Sequence, residues 1–187
     1  GTFEVRLGGH HEFISYESLI TRTDPNFDYA IKKPDDVFTP LIFACESPKR
    51  KSLIISSAGL FNGSTRYRAL HLAEVLQSHG VHSTVVHASC DLEYIKSRIV
   101  GIDFIVFQRC FEEQGNVGKI LDLARAHDKY CLAEIDDLVF PEHVESIGSV
   151  VGGEWQLEEA KFVAAAYESI IQKMDSCIVS TPLLKSY

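Results

Sequence analysis

The stretch Gly59-Leu60-Phe61-Asn62-Gly63-Ser64-Thr65-Arg66-Tyr67-Arg68 sets two glycines just ahead of a run with helical spacing. Glycine lets backbone approach a ligand closely, and the first amides of a helix are free to bind an anion. On a helical wheel, Arg66 and Arg68 flank the apolar stripe Ala69, Leu72, Ala73 and Leu76, and Tyr67 points away. Arginines in a first helical turn oppose the helix dipole, so they cost stability unless something negative sits beside them. A phosphate, diphosphate or carboxylate ligand would supply that charge. The candidate binding residues here are Gly59, Asn62, Gly63, Arg66 and Arg68. An ordinary glycine turn with two solvated arginines is the plainer alternative.

Two further groups follow apolar runs. Gln108-Arg109 ends Phe104-Phe107, and a charge in that place must reach solvent, an acid or a ligand. Arg109 is therefore either a binding residue or one end of a salt bridge across the strand ends, for instance to Asp136. Tyr130-Ile135 leads into Asp136-Asp137. Neighbouring strand residues face opposite ways, so the two aspartates share a direction only if the chain turns there. One of them suits a general base or an anchor for a hydroxyl, and the other a cap for the next segment. Twin carboxylates also suit Mg²⁺, but without a phosphate loop the case for a metal is weak, and no metal or cofactor is assigned. The eight histidines show no zinc spacing, and neither G-x-G-x-x-G, G-x-x-x-x-G-K-[ST] nor G-x-S-x-G occurs.

The elements that must position these groups alternate. Leu53-Ser56, His82-His87, Asp103-Phe107, Tyr130-Ile135 and Ser176-Val179 read as strands. Between them, helical spacing runs from a Ser64-Thr65 cap to Gly80, over Asp91-Arg98, through Val117, Ile120, Leu121 and Ala124, and from Ala160 to Met174. Such alternation implies βαβ units: an α/β, Rossmann-like open parallel sheet with helices on both faces. In such sheets ligands bind beyond the carboxyl ends of the strands, which is where all three groups fall.

Residues 1–50 read as an N-terminal extension or linker. A hairpin is expected from Thr2-Leu7 through Gly8-Gly9 to Glu12-Tyr16, followed by a proline-punctuated irregular stretch. Residues 51–187 form the Rossmann-like domain. Thr181-Pro182 has the form of a helix start with little more than a turn after it, so the expected fold is cut short at its C-terminal end.

Composition narrows the partners. With 18 Lys and Arg against 26 acids, net charge −8, the chain lacks the dense basic face that nucleic acid requires. Five cysteines, an odd number without C-x-x-C spacing, suit a reducing cytoplasmic setting. Cys131 and Cys177 lie in apolar runs, as buried thiols do. No charged-then-apolar leader begins the sequence, and no apolar run approaches the ~20 residues of a membrane span.

Taken in order, Gly59…Gly63-Ser64-Thr65-Arg66-Tyr67-Arg68…Gly80, then Gln108-Arg109, then Glu134-Ile135-Asp136-Asp137-Leu138-Val139-Phe140, then Ser180-Thr181-Pro182-Leu183 resembles the N-terminal domain of bacterial GT-B glycosyltransferases. The similarity is to the large retaining nucleotide-sugar family of polysaccharide biosynthesis, and it covers about Ser52 to Tyr187. It implies one half of a two-domain enzyme: this half holds a saccharide or lipid-linked acceptor, and a second half holds the nucleotide-sugar donor. Gly59 and Gly63 would lie against the donor diphosphate or the acceptor, Arg66, Arg68 and Arg109 would line the cleft, and Asp136 and Asp137 would sit near the acceptor hydroxyl as catalytic candidates. No metal is implied, and peripheral membrane contact of the full-length protein is admitted. The family's paired donor-side glutamates have no counterpart here, so the isolated chain is expected to be inactive.

Two rivals come from other classes. A receiver-like regulatory module would place its acidic pair after the first strand and a lysine after the last, and neither is found. A single-domain nucleotide-sugar enzyme would need an acid closing the second strand, where His87-Ala88-Ser89 stands instead.

Overall fold

The computed structural model describes residues 2–7, 10–15, 40–59, 62–137, 140–182 and 184–186. Its strands are β1 (Thr2–Leu7), β2 (His10–Ser15), β3 (Leu41–Phe43), β4 (Arg50–Ser56), β5 (Val81–His87), β6 (Phe104–Gln108), β7 (Tyr130–Ile135) and β8 (Ser176–Val179). The helices are α1 (His71–Ser78), α2 (Leu92–Lys96), α3 (Val117–Ala126), α4 (Gly148–Val151) and α5 (Leu157–Ile171). Strands β1 and β2 pair antiparallel as a separate ribbon, with His10 and His11 opening its second strand. The Gly8-Gly9 turn, Tyr16, Pro25, Pro34, Leu138 and Val139 lie outside the described residues.

The other strands form one sheet in the order β3-β5-β4-β6-β7-β8. From β4 through β8 every pairing is parallel, and β3 alone runs antiparallel, along the outer side of β5. The α/β alternation thus gives the open, mostly parallel sheet that it predicts. Strand β3 falls in what reads as irregular sequence. Three residues are too few for alternation to register, and β3 exists because β5 offers it an open edge.

Both faces are covered. Leu53, Ile55, Ile105 and Phe107 face the side packed by Ile95 of α2, Val117, Ile120 and Leu121 of α3, and Ile170 of α5. Ile54, Val85, Phe104 and Val106 face Ala69, Leu70, Ala73 and Leu76. Strand β6 is buried over its whole length, as a central parallel strand must be. Each of its large apolar side chains contributes about 1.5–3 kcal/mol through burial. Cys131 is buried as expected, but Cys177 is exposed. The reason is position: β8 ends the six-stranded order, whereas Cys131 lies on β7 between two partners.

Helix ends are set by local chemistry. Asn62 closes the start of the helix after β4, its Oδ1 accepting from Ser64 N at 2.8 Å. The expected Ser64-Thr65 cap is thereby corrected: Ser64 is already helical, and Thr65 Oγ1 lies 2.9 Å from Ser56 Oγ in the interior. Thr65–Leu70 winds as a π-helix before α1 begins, and Gly80, at φ +80°, ends α1. Asp91 caps α2 by accepting from Glu93 N at 3.0 Å. Helix α5 stops at Ile171, short of Met174, which still packs on the core.

Candidate functional site

The chain leaves β4, crosses to β5 on one side, then returns to β6 on the other. Strand order therefore reverses between β4 and β6, the switch point beyond whose carboxyl ends open parallel sheets bind their ligands. A buried polar network lies at these strand ends. Ser56 Oγ donates to Gln108 Oε1 at 2.8 Å, and Gln108 Nε2 reaches Ser64 Oγ at 3.4 Å. Ser57 N bonds Gln108 O at 3.2 Å, and Gln114 Nε2 donates to Ser57 O at 3.1 Å. These bonds tie the glycine turn after β4 to the end of β6 and to the loop beyond it. Within the turn, Asn62 N bonds Gly59 O at 2.8 Å. A Cβ at Gly63 would meet no atom of the described structure within 4 Å, so packing does not demand glycine there.

Along β6 and β7 the rim is charged. Glu134 is only 2% exposed and forms an ion pair with Arg68 across the sheet end. Arg68 Nε also lies 3.8 Å from Asp136 Oδ2. Arg109 Nη1 stands 3.4 Å from Asp136 Oδ1 and 3.2 Å from Asp137 Oδ2. Both aspartates therefore reach one guanidinium, because the chain bends at Asp137 as β7 ends. Arg109 has φ +49°, a left-handed conformation that a non-glycine residue adopts at a cost, while its amide still bonds Glu134 O at 3.0 Å. That twist turns its side chain from the strand direction toward the aspartates and Tyr167. Burial raises the Tyr167 phenol above its ordinary range, and the positive charge and hydrogen bond of Arg109 partly oppose this. The Tyr167 ring also packs edge-on against Phe111, centroids 5.7 Å apart.

Arg68, Arg109, Asp136 and Asp137 thus come together at one rim, beside the turn that carries Gly59, Asn62 and Gly63. The salt-bridge reading of Arg109 is the arrangement found. Arg66 pairs with Glu74 further along its own helix, Nη1 to Oε1 at 2.8 Å. The positive charge that the sequence reading offered to an external anion is met from within the chain. Arg68 and Arg109 face three carboxylates, those of Glu134, Asp136 and Asp137.

Two rim residues escape the sequence reading. Glu134 is one, although a carboxylate inside Cys131-Leu132-Ala133-Glu134-Ile135 was a signal, since a buried charge must be paired. His87, at the end of β5, is the other. Burial lowers its pKa from 6.5, although a hydrogen bond to the Ser57 backbone opposes this, and its Nδ1 accepts from Ser89 N at 3.1 Å. Among the described residues no three His, Cys, Asp or Glu side chains gather as a metal set, and no helix is long and apolar enough to cross a membrane. No family model matches the chain, and no curated protein matches it.

Proposed function

We propose that this chain is the acceptor-side half of a GT-B glycosyltransferase, which moves a sugar from a nucleotide-sugar donor to a saccharide or lipid-linked acceptor. One observation carries the reading: the glycine turn, Arg109 and the Asp136-Asp137 pair meet at the carboxyl rim, beside the reversal of strand order. In this reading Asp136 or Asp137 orients or deprotonates the acceptor hydroxyl, Arg68 and Arg109 hold those carboxylates in place, and Gly59 and Gly63 let backbone approach the ligand. The donor nucleotide belongs to a second Rossmann-like half outside these residues. The setting is cytoplasmic with the membrane surface within reach, and nucleic acid is no partner.

The test is sugar transfer by the full-length protein from a panel of nucleotide sugars. Asp136→Asn or Asp137→Asn, whichever is the base, should lower kcat by about a hundredfold or more while the melting temperature stays near wild type. Undiminished transfer by both variants removes the aspartates from the chemistry, and no transfer from any donor by the wild type removes the enzyme class. The 187-residue chain alone should show none.

A non-catalytic α/β binding module is the second reading. What favours it is that Arg68, Arg109 and Arg66 already have acids of the chain beside them.

A further inference from the structure

Two surface patches of opposite sign lie toward opposite ends of the sheet. Lys49 to Lys51 lead into β4, Arg98 and Val100 precede β6, and Lys129 and Tyr130 open β7. Strand β6 lies between β4 and β7, so these residues share the amino end of neighbouring strands. Contacts join them: Arg50 Nη1 bonds Asp103 Oδ1 at 3.0 Å, and Lys129 Nζ bonds Val100 O at 3.1 Å. Among the described residues, the Lys49 and Lys51 ammoniums have no carboxylate beside them. Arg125 and Asp175 offset each other, which leaves Asp103 and Asp128 against the remaining cations, and positive charge prevails. Amid it, Val100 is 74% exposed and Tyr130 45%.

The other patch is acidic. Past the carboxyl end of β7 the chain folds into a helical corner, where Val144 packs with Ala160 and Ala164 of α5, and Val150 and Trp155 join them. Its exposed charges are Glu142, Glu145, Glu154, Glu158 and Glu159, opposed by Lys161, which pairs with Glu145 at 2.9 Å. In the same corner Val151 and Phe162 are each 72% exposed. From there the 15 residues of α5, about 22 Å of helix, carry the chain back to the amino end, where β8 begins. Scattered apolar residues on a surface need no explanation, but here two large ones sit within base and two within acid.

The patches match in sign and in apolar centre, yet they are too far apart to meet within one chain. We propose that the amino end of the sheet docks on the acidic corner of a second copy of this chain, head to tail, with Val100 and Tyr130 against Val151 and Phe162. Such a contact is heterologous, so it leaves one patch open at each end and extends rather than closing into a pair. An anionic membrane would suit the basic end alone, whereas a second copy accounts for both patches. The net charge of −8 opposes self-association at long range. At physiological salt the Debye length is about 8 Å, so remote charges are screened while those across the contact still attract. Four apolar side chains make a small contact, and the expected Kd is about 0.1–1 mM. Neither patch includes a residue of the rim.

The experiment is sedimentation velocity of the 187-residue chain, from about 10 µM to about 1 mM at about 0.15 M salt. The average mass should rise with concentration, past that of a dimer. Lys49→Glu with Lys51→Glu should weaken association about tenfold or more, and so should Glu154→Lys with Glu159→Lys. All four side chains are exposed and belong to no ion pair described here, so the melting temperature should stay near wild type. Mixed in equal amounts, the two variants should associate again as pairs, because one keeps its acidic corner and the other its basic end. Phe162→Ser, which removes only an exposed ring, should weaken the contact as well. A monomer at every concentration overturns the proposal. So does association that both charge variants leave unchanged, or that mixing them does not restore. Binding to phosphatidylglycerol vesicles that Lys49→Glu with Lys51→Glu abolishes, without self-association, makes a membrane the occupant and overturns it too.

Discussion

Glu134 sits inside a strand whose neighbours are apolar, and its charge is tolerable because Arg68 faces it across the end of the sheet. Removing one member of such a pair strands the other in a poorly solvated place. Arg68→Met should therefore cost about 3–5 kcal/mol of unfolding free energy in urea titrations. The double variant Arg68→Met with Glu134→Leu should recover most of that loss, because no unpaired charge remains. Equal losses in the single and double variants would mean that packing, not charge, holds this corner. Arg109 was visible in the sequence because a charge that closes an apolar run must find a partner, Arg68 because an arginine in a first helical turn opposes the dipole, and the aspartates because they follow a strand. Their pairings were not. The Arg68–Glu134 contact spans 66 positions, and only the order of strands decides which ends lie side by side.

Elements, not single contacts, hold the loops of the rim in register. Gly115 has φ +55°, and a Cβ there would lie 2.7 Å from Ala88 O and from Ser89 Oγ. The next residue fixes the same approach: Asn116 N bonds Ala88 O at 2.8 Å, and its Nδ2 donates to Cys90 O at 2.9 Å. Gly115→Ala must shift backbone against backbone, and it should destabilise the chain by more than about 1 kcal/mol in thermal unfolding. A neutral outcome would show that the β6–α3 loop moves freely against the β5 end. Regular elements of the domain were legible because each carries its period: α3 buries Val117, Ile120, Leu121 and Ala124 at helical spacing. Illegible were the features that depend on context. Nothing in Thr65-Leu70 separates a π turn from an α turn, and Asn62 displaces Ser64 as the cap because the helix starts a little earlier than the apolar stripe does.

For the whole molecule, acidification should act first through histidine. Burial lowers the pKa of His71, with nearby Arg66 adding to the effect and Glu74 opposing it, and burial likewise lowers that of His87. Both start from 6.5, so between that value and the lower folded one the unfolded chain binds more protons than the folded chain. Their contribution to stability is present above 6.5 and is lost as the pH falls through the folded values. Urea midpoints compared at about pH 7.5 and about pH 5.5 should fall for wild type and fall less for the His71→Gln, His87→Gln double variant. An identical fall in both would place the titration on other groups.

Because β4 to β8 all point the same way, the glycine turn and the charged side chains are confined to one end of the molecule. The opposite end, where Arg125-Ala126-His127-Asp128 leaves α3, is a handle. A tag or surface anchor attached there would sit at the end of the sheet away from the rim.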